Sequence, residues 1–195
     1  MLTIQTLNKR LTGEVRQILI HKIAPHYVYH NLVHTEYVIE AIAFICQFES
    51  VTGKELELLT LAALMHDLGY VYGHQAHELQ GAIMARKLMT EAKYSLMDIE
   101  IVQGLIMATI MPQKPQTKLQ KILCDADLFH LSQPEFFEKS KILQQELSNM
   151  GIHFSDKQWR MENISFFKEH KYHTDFGKRV LTDKKLANLI ELAKP

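Results

Sequence analysis

Residues 59–69 read LTLAALMHDLG, and the run ends on two adjacent ionisable residues, His66 and Asp67. Leu59, Leu61, Ala62, Ala63, Leu64 and Met65 are apolar on every side of a helical wheel, which describes a helix enclosed by others rather than one lying on a surface. A histidine and an aspartate at the end of such a helix are costly to bury unless something pairs with them. Two further residues of the same chemistry lie in apolar surroundings: His34 upstream, and Asp127 downstream within Cys124-Asp125-Ala126-Asp127-Leu128. Two imidazoles and two carboxylates form the kind of set a divalent metal ion satisfies.

Working outward, apolar residues recur at helical spacing through almost the whole chain, and alternating strand-like runs are scarce. Leu11, Val15, Ile18 and Leu19 stripe a first helix, and Val38, Ile39, Ile42, Ala43, Ile45 and Cys46 stripe a second. Gly53 breaks the chain before KELELLTLAALMHDL, and Gly69 reads as the terminator of that helix. Further helices are expected around 75–92, 97–109, 117–130, 134–150, 156–171 and 178–193, with Pro112 and Pro115 marking a loop. No linker, low-complexity segment or repeat interrupts the pattern. The expected architecture is all-α, one domain over residues 1–195 with about eight or nine helices. Beyond about residue 133 the chain is more polar and shows no chemistry-bearing pattern, so it could cover the core, close the site or mediate association.

Bulk composition narrows the partners. The 22 basic and 22 acidic residues cancel, which gives no overall pull toward nucleic acid or an acidic membrane. Aromatic and basic residues near Trp159, Phe166, Phe167 and Tyr172 are not arranged as a nucleic-acid platform, and these rings are expected to anchor the C-terminal helices. No apolar stretch approaches the roughly 20 residues of a membrane span. The opening MLTIQTLNKRLTGEV lacks the apolar core of a secretory leader. Cys46 and Cys124 form no C-x-x-C pair. A cytoplasmic protein is expected. Of 11 histidines, seven fall between His21 and His77.

Neighbouring helix positions point about 100° apart, so His66 and Asp67 can share an ion only near a helix end. His34 and Asp127 would then approach from separate helices. A mixed nitrogen and oxygen set with open positions suits Mn, Mg, Fe, Co, Ni or Zn in a catalytic site better than a closed structural zinc site. The alternative at this point is that His66 caps its helix and Asp67 pairs with a nearby cation. Asp125 and Asp127, two apart on a helix, cannot face one ion equally.

Tyr29-His30-Asn31-Leu32-Val33-His34-Thr35, then His66-Asp67, His77-Glu78 and the CDADL segment, in that order, resemble the HD superfamily of metal-dependent phosphohydrolases over about residues 27–131. The resemblance implies a helical bundle and a metal site of His34, His66, Asp67 and Asp127. It implies hydrolysis of a phosphate ester in a nucleotide or another small phosphorylated substrate by a metal-activated water. The Tyr-His-Asn triplet is similar to that of the superfamily's cyclic-nucleotide phosphodiesterases, where the histidine protonates the leaving oxygen, a role falling here to His30. A histidine held there for structure, by Asn31 or a backbone carbonyl, is the alternative, with Asn31 itself an orienting or capping residue. By the same resemblance His77 and Glu78 line the site, holding a second metal, a bridging water or a phosphate. Residues 98–115 lack the later histidine pair of the superfamily's two-metal cyclic dinucleotide enzymes, which argues for one metal or a weakly held second. Two rivals stay open: a catalytically silent, metal-stabilised binding module, and an HD-type di-iron oxygenase.

Overall fold

The computed structural model describes residues 8–194, so the first seven residues of the stretch read for a leader lie outside the described residues. Nine α-helices run through it: α1 (Lys9–His21), α2 (Leu32–Glu49), α3 (Gly53–Met65), α4 (His77–Glu91), α5 (Leu96–Met107), α6 (Lys118–Asp127), α7 (Phe136–Asn149), α8 (Asp156–Glu169) and α9 (Thr182–Leu192). Short 3-10 turns at Leu68–Val71 and Phe129–Ser132 follow α3 and α6, and a π turn at Gly177–Leu181 leads into α9. No strand occurs among the described residues.

Several helices begin where side chains satisfy the amides that a helix start leaves unpaired. Asn8 caps α1, accepting from the amides of Arg10 and Leu11. Asn31 caps α2, accepting from Val33 N at 2.8 Å. Thr117 with Gln120, and Ser155 with Gln158, form capping boxes on α6 and α8.

Helix α3 is the axis of the bundle. It packs against α1, α2, α4, α5 and α6, and every residue from Leu58 to Met65 is buried. That enclosure is why its sequence is apolar on all sides. One expectation about its end is corrected: α3 stops at Met65, with His66 in the cap position, and Gly69 lies inside the following 3-10 turn. Glycine is required at 69 for another reason. A Cβ there would sit 1.8 Å from the carbonyl oxygen of His77, and one at Gly81 would sit 2.9 Å from that of His66. These two contacts let α4 lie directly on the backbone of the His66-Asp67 turn.

The C-terminal helices bring a smaller apolar cluster, Leu131, Phe136 and Phe167 with partly buried neighbours. Phe167 is buried in this cluster, Phe166 packs against it and Tyr172 is buried in the main core, as expected of anchors, and Trp159 and Phe166 also line a cavity described below. Asp125 ties the chain beyond α8 to the bundle, accepting from His173 N at 2.7 Å, Thr174 N at 2.9 Å and Thr174 Oγ1 at 2.7 Å. Asn188 on α9 donates to the carbonyls of Leu131 and Gln133. Among the described residues no helix is long and apolar enough to cross a membrane.

Candidate metal centre

Three helix ends meet at one point. His34 comes from the first turn of α2, His66 and Asp67 from the turn after α3, and Asp127 is the last residue of α6. Their donor atoms converge. His34 Nε2 lies 3.6 Å from Asp67 Oδ2 and 3.3 Å from Asp127 Oδ1, and His66 Nε2 lies 3.2 and 3.7 Å from the same oxygens. Donors bound at about 2.0–2.2 Å to one ion stand roughly 3.0–3.4 Å apart when adjacent; the 3.2 and 3.3 Å pairs fall in that range and the 3.6 and 3.7 Å pairs lie a few tenths of an ångström beyond it. His34, His66 and Asp127 qualify together as a group able to hold a divalent metal ion, and Asp67 touches both imidazoles.

Two observations show that the cluster is incomplete as a set of protein groups alone. His66 Nδ1 is 2.7 Å from the Ala63 carbonyl. A carbonyl only accepts, so Nδ1 carries a proton and Nε2 is the nitrogen turned to the site. Although His66 Nε2 and Asp67 Oδ2 are close, both are buried without a hydrogen-bond partner. Buried polar atoms are rarely left so unless an ion or ligand belongs there. The electrostatics agree. Burial works against charge on His66, yet Asp67 beside it, with help from Asp127, pushes its pKa up to about 9. Burial likewise opposes ionisation of Asp67, and His66, His30 and His34 overcome it and hold the carboxyl far below its usual range. The pocket stabilises positive charge among carboxylates, the condition a cation meets.

His77 heads α4, and its Nδ1 donates to the His74 carbonyl at 3.0 Å. Its Nε2 is 3.8 Å from Asp67 Oδ1, the oxygen opposite the one facing His34 and His66. Glu78 Oε2 lies 3.5 Å from His77 Nδ1. His74 is exposed. His77 and Glu78 therefore edge the same cavity as the quartet, one residue out from it.

His30 is positioned by a residue that sequence reasoning missed. Glu146, from α7, is buried at 1 % side-chain exposure and makes an ion pair with His30 Nδ1. The same carboxylate accepts from Tyr29 N at 2.7 Å and His30 N at 3.0 Å. The His30 ring stacks on Tyr70 at 4.4 Å between centroids. Burial alone would lower the His30 pKa, but Glu146 raises it above the ordinary value. Neither Asn31 nor a carbonyl holds this ring. The expectation that the chain beyond 133 carries no chemistry is thus corrected: Glu146 sits in a polar, amphipathic helix, and only its 116-residue reach back to His30 distinguishes it from the other glutamates there. A glutamate wholly on the buried side of α7 was the one available signal. His130 also lines the cavity, and burial drives its pKa down to about 3.

The HD domain family pattern matches residues 31–132. The chain belongs to the HD domain family. Its matched span holds His34, His66, Asp67, His77, Glu78 and Asp127, whereas His30 and Glu146 fall outside it. Among solved structures the HD fold here is similar to a predicted HD superfamily hydrolase from an uncultured Thermotogales bacterium. That likeness has a TM-score of 0.56 at 21 % identity, over 83 % of this chain and 87 % of the other. No curated protein matches the chain.

Proposed function

We propose that this HD domain protein is a metal-dependent phosphohydrolase that cleaves a phosphate ester of a nucleotide or another small phosphorylated metabolite. The observation that carries the reading is one cavity, about 430 Å³, whose wall includes both the His34, His66, Asp67 and Asp127 cluster and His30, the ring that Glu146 holds. The four clustered residues would hold a divalent ion, with Mn, Mg, Fe, Co, Ni or Zn all compatible with the donor set. Such an ion, when bound, makes hydroxide available near neutral pH and offsets charge on the phosphoryl oxygens.

The remaining roles belong to side chains of this chain. His66 is kept in the tautomer that offers Nε2 by its bond to Ala63, a second-layer contact of the kind that tunes metal sites. Asp67 faces the quartet through Oδ2 and His77 through Oδ1, so it can also orient a water between them. Glu78 steadies His77. With Nδ1 engaged by Glu146, the proton that His30 delivers to a departing alkoxide sits on Nε2, and the raised pKa keeps that proton in place near neutrality.

Two substitutions separate these roles. His30→Ala lowers turnover by about 10²–10⁴-fold while bound metal, measured by elemental analysis, stays at the wild-type level. His66→Ala lowers both. Equal loss of metal and turnover in His30→Ala refutes the general-acid role, and metal bound without hydrolysis of any monoester or diester refutes the phosphohydrolase reading.

A further inference from the structure

The cavity does not end at the metal cluster. It continues between α7 and α8, where Phe136, Leu143, Trp159 and Phe166 form an apolar wall. None of these residues lies within the span that matches the HD family. Trp159 is fixed in place by a closed ring of hydrogen bonds. Its Nε1 donates to Ser140 Oγ at 2.9 Å, Ser140 Oγ donates to Asn163 Oδ1 at 3.2 Å, and Asn163 Nδ2 donates to the Trp159 carbonyl at 2.7 Å. The polar groups of this wall are therefore spent on one another, and what they present to the cavity is a rigid indole. A preorganised aromatic surface favours a flat ring because little freedom is lost when it stacks.

Charge sets a second condition. Asp67, Glu78, Asp127 and Glu162 line the cavity, and Lys139 is the one ammonium facing them among the lining residues. Lys139 is itself held over the Tyr37 ring, Nζ to centroid 3.8 Å. A divalent ion, Lys139 and the proton-bearing His30 are the positive groups that meet a single phosphoryl group. Additional phosphates would enter among carboxylates with no further cation to meet them, which is unfavourable in a partly buried site. The volume, about 430 Å³, lies at the low end of the range of roughly 300–1,000 Å³ for small-molecule sites.

We propose that the α7–α8 wall is the specificity subsite for the alcohol half of the substrate, and that it selects a monophosphate ester bearing one flat, uncharged ring system. This rests on the phosphohydrolase reading for the reaction but not for binding. The pocket contains the chain's sole tryptophan, so occupancy can be followed by its fluorescence without turnover.

The test titrates the full chain with adenosine, a flat ring without phosphate, with ribose, which lacks the ring, and with 1-octanol, an aliphatic alcohol. Adenosine is expected to change Trp159 emission saturably and to bind about tenfold or more tighter than ribose, the order of effect that aromatic stacking gives. Phe166→Ala should weaken adenosine about tenfold. Ser140→Ala, which removes only the hydroxyl holding the indole, should weaken it to a smaller extent and keeps the test open should Phe166→Ala fail to fold. With Mn²⁺ present, adenosine monophosphate should bind more tightly than the triphosphate. Ribose binding as well as adenosine, 1-octanol binding more tightly than adenosine, or a preference for the triphosphate would each overturn the proposal. Adenosine binding with no ester hydrolysed supports the subsite and refutes the phosphohydrolase reading instead.

Discussion

Glu146→Gln probes the link between the C-terminal helices and the chemistry. The carboxylate accepts from two backbone amides, Tyr29 N at 2.7 Å and His30 N at 3.0 Å, and pairs with His30 Nδ1. Glutamine keeps the shape and one acceptor oxygen but removes the charge. Hydrogen bonds to charged groups contribute about 1.5–3 kcal/mol and neutral ones about 0.5–1.5, so the His30 imidazolium loses about 1 kcal/mol, or about 0.7 pH unit. The signs follow from the two shifts. The folded His30 pKa is raised above 6.5, so its contribution to stability is complete below that value and is lost as pH rises through the raised pKa. The folded Glu146 pKa is lowered below 4.5, so its contribution is present above that value and is lost as pH falls through the lowered one. Both partners are charged between these limits, and there the wild type should exceed the variant in stability by the largest margin. In the proposed general-acid role, His30 must begin protonated for turnover. The alkaline limb of the kcat–pH profile of the metal-loaded enzyme should therefore move down by about 0.7 unit in Glu146→Gln. Metal content should not change. An alkaline limb at the wild-type pH, or metal lost in step with activity, would refute the positioning role.

Other expectations follow from the same geometry. Mn²⁺ at about 100 times its Kd should stabilise the wild type by about 2.7 kcal/mol, raising Tm by about 5–10 °C for a chain of this size. His66→Ala should abolish that response, and an unchanged Tm in the wild type would count against the cation site. Gly69→Ala forces a Cβ to within 1.8 Å of the His77 carbonyl oxygen, and should cost about 1–3 kcal/mol or more in urea unfolding. A change below about 0.5 kcal/mol, the scale of neutral surface substitutions, would show that α4 can shift freely. Asp125→Ala strands three donors at His173 and Thr174, each costing about 1–3 kcal/mol if left unpaired. Limited proteolysis should then cleave near residues 170–177 first, and an unchanged cleavage pattern would refute the tether.

The all-α bundle was readable from periodicity because α3, packed on five other helices, tolerates no polar face between Leu58 and Met65 apart from Thr60. Its end was misplaced for a local reason. Gly69 resembles a helix terminator in sequence, but its lack of a side chain answers to the His77 backbone, a contact made by α4. Asp125 and Asp127 are chemically identical in the sequence. Their different tasks depend on what α6 faces: the histidines at its end for Asp127, and the strand-less return of the chain at His173 and Thr174 for Asp125.

By itself the sequence determined the helical class and the ordered quartet of His34, His66, Asp67 and Asp127, because burial periodicity and metal-capable residue types are local properties written along the chain. Only the tertiary structure decided that Glu146 serves His30 and that Trp159 and Phe166 face the cavity. Those relations join residues more than a hundred positions from the triplet at Tyr29. They arise from how α7 and α8 dock on the bundle, which no spacing within either helix records.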